Sequence, residues 1–216
     1  YLGRDVLSRI MYGGRSSLSI GFLVVLVASF IGVPMGAVAG YFGGWIDDVL
    51  MRVTDGFLAF PPLLLAIAIA AALGPSFTNS MIAIAVTWWP WYARLVRAQT
   101  LSLRERYFIE AARSIGVSDF VIITRHVLPN IMTPVLVQAT MDVGSAILTG
   151  AAISFIGLGV QPPTADWGKM ISTGRIYFIE RSWYAGSAGA AIFLVTLSFN
   201  LLGDAVRDVA DPRTRR

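Results

Sequence analysis

The chain of 216 residues has no cysteine, a single histidine and only 14% charged residues. Each shortage excludes something. Without cysteine there can be no disulfide framework and no thiolate metal site. The lone histidine, His126, has neither a second histidine nor a carboxylate beside it, which suits a structural role better than a ligand's. Metal-ligand spacings, nucleophile elbows and phosphate-cradling glycine loops are absent as well. Gly157-Leu158-Gly159 follows an apolar run and lacks the strand–turn–helix context of a nucleotide site. Neither an enzyme nor a cofactor nor a bound metal is expected. The pI near 9.8 could suggest nucleic acid, but the arginines are dispersed without forming a basic helix face, so no nucleic-acid partner is expected.

What is present is apolar surface. The chain is 56% hydrophobic, and its mean hydropathy is +0.67. A soluble domain of this size needs more charge to cover itself, so the class is a polytopic membrane protein. Charged residues are missing from 16–46, 56–93, 127–141, 143–165 and 182–203. A helix needs about 20 apolar residues to cross the hydrocarbon core. The second window is too long for one span and is cut by Gly74-Pro75-Ser76, so it reads as a helical hairpin. Five spans are expected, near 17–40, 56–73, 79–97, 131–157 and 183–203, within a single domain over 1–216.

Basic residues then set the orientation. Segments 1–16, 74–78 and 158–182 share one side and hold six, whereas 41–55, 94–130 and 204–216 hold eleven. The positive-inside rule puts the second set, including the C-terminus, in the cytoplasm. The chain would then start outside, at Tyr1, which an upstream span would explain. The expectation is a six-span protein lacking its first span at the N-terminus.

Local features qualify this picture. Residues 1–16 read equally as an interfacial amphipathic helix or an ordinary lead-in to the first span. Tyr41-Phe42-Gly43-Gly44-Trp45 is a glycine turn with interface aromatics, and Pro61-Pro62 is expected to kink the second span. Trp88-Trp89-Pro90-Trp91-Tyr92 reads as an aromatic belt. Asp142 is the one charged residue deep within a span. Intramembrane charges usually face a bundle interior or water-filled cavity, so Asp142 is a candidate for the translocation path, against a purely structural pairing. Asn200 is a weaker candidate, because amides often bond neighbouring helices.

Between the third and fourth spans lies a charged segment, 104–130, longer than a connector needs to be. Phe108, Ala111, Ala112 and Ile115 recur at helical spacing as one apolar stripe, and Glu110 lies within reach of Arg106 and Arg113. Gly116 follows the last turn, where a left-handed conformation is cheap for glycine. Ser118 can cap a second short helix, Pro129 should end it, and Asn130 can cap the next span. The two readings are a docking element and a loop helix resting on the bilayer.

Four stretches together resemble one family. They are Leu2-Gly3-Arg4-Asp5-Val6-Leu7-Ser8-Arg9; Glu110-Ala111-Ala112-Arg113-Ser114-Ile115-Gly116 with Arg125-His126-Val127-Leu128-Pro129-Asn130; Ser154-Phe155-Ile156-Gly157-Leu158-Gly159-Val160-Gln161-Pro162-Pro163 with Trp167-Gly168; and Asp204-Ala205-Val206-Arg207-Asp208 with Asp211-Pro212-Arg213. The chain resembles the C-type permease subunit of the dipeptide, oligopeptide and nickel ABC importers. The resemblance implies an all-α transmembrane bundle of the type I ABC importer kind in a bacterial or archaeal cytoplasmic membrane. It also implies a second homologous permease chain, two cytoplasmic ATPase subunits and an extracytoplasmic solute-binding protein. Segment 104–130 would be the EAA loop that couples to the ATPases, through Glu110, Ala111, Ala112, Arg113, Gly116, His126, Leu128 and Pro129. Gln161, Pro162, Pro163 and Trp167 would belong to the outer gate or the binding-protein contact. Two departures stand out. His126 replaces the isoleucine of the general EAA pattern, as in the peptide/nickel group, and Gly150 stands where relatives often carry glutamate. Peptides are the expected cargo, with nickel or another small solute as the alternative. An ion-coupled secondary transporter is a more distant reading, since it would need midplane carboxylates in repeated halves.

Overall fold

A computed structural model describes residues 5–210 of the chain. Leu2-Gly3-Arg4 and Asp211-Pro212-Arg213, parts of two of the stretches above, lie outside the described residues. Helix α1 (Val6–Phe42) starts at Asp5, whose carboxylate accepts the Ser8 amide at 2.7 Å. It runs unbroken for 37 residues, about 55 Å at 1.5 Å per residue. Residues 6–16 therefore continue the first span and do not form a separate interfacial helix. The helix stops where Gly43 and Gly44 adopt φ of 67° and 54°, a region that side-chain-bearing residues rarely occupy.

Helix α2 (Gly44–Leu58) and helix α3 (Pro62–Leu73) meet at 83°. The expected kink in a second span at 56–73 is thus a break. Pro62 forces the preceding residue out of the helical region, and Pro61 accordingly sits at ψ 122°. The 12 residues of α3 reach only about 18 Å, short of a bilayer core of about 30 Å. Helix α4 (Phe77–Arg104) is capped by Ser76, which accepts the Asn79 amide at 3.0 Å, and spans 28 residues. It is long enough to cross. Its tryptophans and its Thr, Ser and Asn residues suit contact with α1, α2, α3 and α7 more than with lipid.

Helix α5 (Tyr107–Ser114) is followed by α6 (Asp119–Val121), a π-helical segment over Ile122–Val127 and α7 (Leu128–Ile156). The last three run as one continuous helix of 38 residues. Pro129 therefore does not end a helix, as its position suggested. It is the second residue of α7, directly after the wide π turn, where the looser winding makes room for its ring. Asn130 does not cap either, because its Nδ2 donates to the His126 carbonyl oxygen at 2.6 Å. Helix α8 (Trp167–Gly174) and helix α9 (Ser182–Ala210) are the last α-helices among the described residues. Among the described residues, α1, the Asp119–Ile156 run and Ser182–Val209 are long and apolar enough to cross a membrane, as are α2 and α3 if taken as one bent pair.

Helices α1 and α4 run parallel and pack through Gly32, Gly36 and Gly40. A Cβ on Gly32 or Gly36 would collide with the carbonyl oxygen of Trp89 or Ala93, and one on Gly40 would lie 2.7 Å from Thr100 Cβ. Three glycines at four-residue spacing let the two backbones approach, the arrangement that drives helix association where lipid removes any hydrophobic preference. The core then builds outward from Val25, Ala28, Ala37, Tyr92 and Val96 to Ile131, Val143 and Ile147 of α7. Gly150 is buried against α1 as well, where a Cβ would meet Ile20 Cγ2 at 2.9 Å. That position is a packing contact with no room for a carboxylate unless α1 moves.

Candidate functional site: a docking loop and a polar cavity

The loop end of the bundle is organised around Tyr41, at the end of α1. Its ring is 3% exposed. The Tyr41 hydroxyl donates to Asp119 Oδ1 at 2.6 Å and accepts from Arg113 Nε at 3.1 Å, while the Arg113 guanidinium lies over the ring, 4.6 Å from its centre. One side chain of α1 thereby fastens both short helices of the loop. Arg113 is engaged by Tyr41, and Glu110, expected to pair with Arg106 or Arg113, has no ion pair among the described residues.

Gly116 takes the left-handed conformation that its position required, with φ of 80°. The Val117 amide donates to Ala112 O at 3.1 Å and the Gly116 amide to Arg113 O at 3.0 Å. This double closure ends a helix and turns the chain sharply. Ser118 has the extended backbone of a cap residue, but its side chain makes no capping bond. The apolar stripe is split. Ile109 and Ala112 are buried against the bundle, while Phe108, Ala111 and Ile115 face outward together with Tyr107 and Phe120. Tyr107 is 89% exposed and Ile115 80%. His126 and Leu128 are half-buried within and just after the π segment, and Pro129 is exposed.

Asp142 lines a cavity of about 710 Å³ between α3, α4 and α7. It is not alone. Gln138, Asp142, Ser145 and Thr149 all line this cavity, spaced four, three and four residues apart. They form a polar stripe on one face of a mostly apolar helix. The Gln138 amide donates to Asp142 Oδ1 at 2.9 Å. Trp88, Trp91 and Arg94 of α4 supply the facing wall. Two residues of the expected aromatic belt thus look into the cavity. Asn200 is exposed on α9 and does not line it. Sequence reasoning singled out Asp142 by its charge and passed over the three neutral members of its stripe, although their spacing was visible.

At the opposite end, the residues expected at an outer gate or a binding-protein contact divide between buried and exposed positions. Trp167 is 4% exposed, and its indole N–H donates to Ile10 O at 2.9 Å across 157 positions of chain. Gly13 and Gly14 leave room for its ring. Trp167 is therefore a wedge that holds α8 to α1. Asp166 beside it accepts the Lys169 amide at 2.9 Å and the Ser17 hydroxyl at 3.4 Å. Burial pushes the Asp166 carboxyl above the usual carboxylate range, against the pull of these hydrogen bonds. Gln161 donates to Gly157 O and Gly159 O at 3.0 and 2.9 Å and so braces its own turn, while Pro162 and Pro163 are exposed.

The chain matches the family described as binding-protein-dependent transport system inner membrane component over residues 32–216. It is 48% identical over 213 residues to the dipeptide transport system permease protein DppC of Alkalihalophilus pseudofirmus, covering 99% of this chain and 70% of that protein. It is 45% identical over 212 residues to the probable D,D-dipeptide transport system permease protein DdpC of Escherichia coli, covering 98% and 71%. The glutathione transport system permease protein GsiD of Pectobacterium atrosepticum is 44% identical over 214 residues, covering 99% and 71%. In fold it is similar to the inward-facing MetNI methionine ABC transporter, with a TM-score of 0.77 at 17% identity over 97% of this chain and 100% of that one. An amino acid ABC transporter gives a TM-score of 0.68 at 20% identity over 96% and 100%. With an all-helical bundle, a pinned cap of short helices at one end and a polar cavity within, the chain belongs to the inner membrane components of binding-protein-dependent transport systems, the permease subunits of ABC importers.

Proposed function

We propose that this chain forms half of the translocation path of a peptide importer, with a second permease chain completing the path. In this reading it is driven by two cytoplasmic ATPase subunits that dock on 104–130 and is fed by an extracytoplasmic solute-binding protein. The loop end and the C-terminus face the cytoplasm. The observation that carries the reading is the outward face of α5. Tyr107, Phe108, Ala111 and Ile115 are exposed on a short helix that Tyr41 anchors rigidly to α1. A helix merely resting on lipid needs no such fastening, whereas one that receives force from a partner does. The peptide relatives favour peptides as cargo. So does the cavity, because a lone carboxylate beside an amide is a poor ligand set for nickel.

The test exploits the absence of cysteine. A single cysteine at Ala111 and one on the cognate ATPase should crosslink in membranes, with a yield that changes on adding ATP. No crosslink from correctly assembled transporter would refute the docking assignment.

A further inference from the structure

The cavity has an unbalanced charge. Two ionisable groups line it, Arg94 and Asp142. Arg94 is already matched, because its Nη2 lies 2.6 Å from Asp55 Oδ1. Asp142 has only the neutral Gln138 amide and, facing it from α4, the Tyr92 phenol; no cation pairs with it among the described residues. An uncompensated carboxylate in a membrane-embedded cavity is costly, and such groups persist where they meet a substrate. The facing wall is aromatic, and the faces of Trp88 and Trp91 also attract cations.

The polar stripe adds a length scale. From Gln138 to Thr149 is 11 residues of helix, about 16 Å at 1.5 Å per residue, whereas an extended dipeptide covers about 7 Å. A dipeptide can thus sit on the stripe with its amino end at Asp142 and its single amide group beside Ser145, while Thr149, about 10 Å from Asp142 along the axis, is within reach of a longer peptide. A hydroxyl both donates and accepts, so these two serve the main chain of any peptide regardless of its side chains.

We infer that the Asp142 stripe is a cation-selective subsite that receives the free amino terminus of the passing peptide. This deepens the peptide-import reading and rests on it. The ligand class is a primary ammonium joined to an amide backbone. A metal cation fits poorly, since no group of three or more His, Cys, Asp or Glu among the described residues could hold one.

The test is thiol labelling of the assembled transporter in proteoliposomes. Ser145→Cys and Thr149→Cys are each treated with 2-aminoethyl methanethiosulfonate, an alkylammonium, and with its anionic sulfonatoethyl analogue. Rates are divided by those of a free thiol. The ammonium reagent should be favoured by about tenfold beside Asp142, and D142N should abolish the preference while D142E retains it. Leu148→Cys, on the exposed apolar face, should show no preference. Dialanine should slow labelling of Ser145→Cys, and N-acetyl-dialanine should not. Equal rates for the two reagents, a preference that survives D142N, or protection by nickel ions and not by dialanine would each overturn the assignment. Uptake driven by ATP and the binding protein is measured in parallel on the unmodified transporter. Uptake without charge preference sinks the subsite alone, whereas charge preference without peptide uptake sinks the import reading.

Discussion

Replacing Tyr41 with phenylalanine isolates the fastening of the loop. The ring, its burial and its stacking under Arg113 survive, and only the hydroxyl is lost. That hydroxyl makes two bonds, a donation to the Asp119 carboxylate at 2.6 Å and an acceptance from Arg113 at 3.1 Å. Hydrogen bonds to charged groups contribute about 1.5–3 kcal/mol each. Asp119 and Arg113 are both exposed and can recover water, so the low end, about 1.5 kcal/mol for the pair together, is the reasonable figure. This energy holds the loop to α1 and lies outside the glycine-packed core, so its loss should favour local opening over global unfolding. Amide hydrogen exchange in nanodiscs should accelerate roughly tenfold across 107–121. Exchange in α1 and α4 around Gly32–Gly40 should not change, nor should the thermal midpoint. Peptide uptake should fall while ATP hydrolysis continues, because a loosened loop absorbs the stroke. Unchanged exchange in 107–121 would refute the argument, and so would an acceleration spread evenly over the whole chain.

Three further outcomes follow from the geometry. Gly36→Ala should cost about 1–3 kcal/mol by overpacking against the Ala93 carbonyl, whereas Gly56→Ala, with nothing near its added methyl, should be neutral or stabilising; fluorescence-detected thermal melts of the two compare them directly. Gly116→Val should strain the left-handed closure of α5 and abolish ATP-driven uptake while leaving membrane insertion intact, and normal uptake would contradict it. Because the folded carboxyl of Asp166 titrates above its unfolded value, its contribution is fully present below the unfolded value and is lost as pH rises through the raised one; the midpoint of the wild type minus that of Asp166→Asn should therefore fall as pH is raised from about 4 towards 7, and a flat or rising difference would refute the burial argument.

Different parts of this molecule were legible to different degrees. The long apolar helices could be read from charge-free windows, since removal from water dominates every other preference there. The turn at Gly43-Gly44 and the closure at Gly116 were legible because glycine is the economical residue at positive φ. Pro61-Pro62 announced a disturbance but not its size, because a proline pair permits either a kink or a break, and neighbouring helices choose. Pro129 misled for a related reason. Proline disrupts a regular helix, but it is accommodated just after a π turn, and nothing local in the sequence announces that turn. The Gly32, Gly36 and Gly40 spacing was visible and went unread, because a glycine's worth lies in the helix it touches. Trp167 was singled out through the family resemblance, which says nothing of what the side chain packs against. Its burial depends on Gly13 and Gly14, more than 150 positions away. Asp142 was found through charge alone, while its neutral neighbours became meaningful only once the cavity was known.

The unbroken run from Asp119 to Ile156 makes the bond to Tyr41 and the Asp142 stripe two points on one shaft. Twenty-three residues separate Asp119 from Asp142, about 35 Å along the axis. Because the helix is continuous, a rotation about its axis at the Asp119 end turns the stripe in the cavity as well, unless it is taken up on the way. The π segment at Ile122–Val127 lies between the two points, where the winding is already looser. Stiffening it should change the gearing between nucleotide cycle and cargo movement without altering either end.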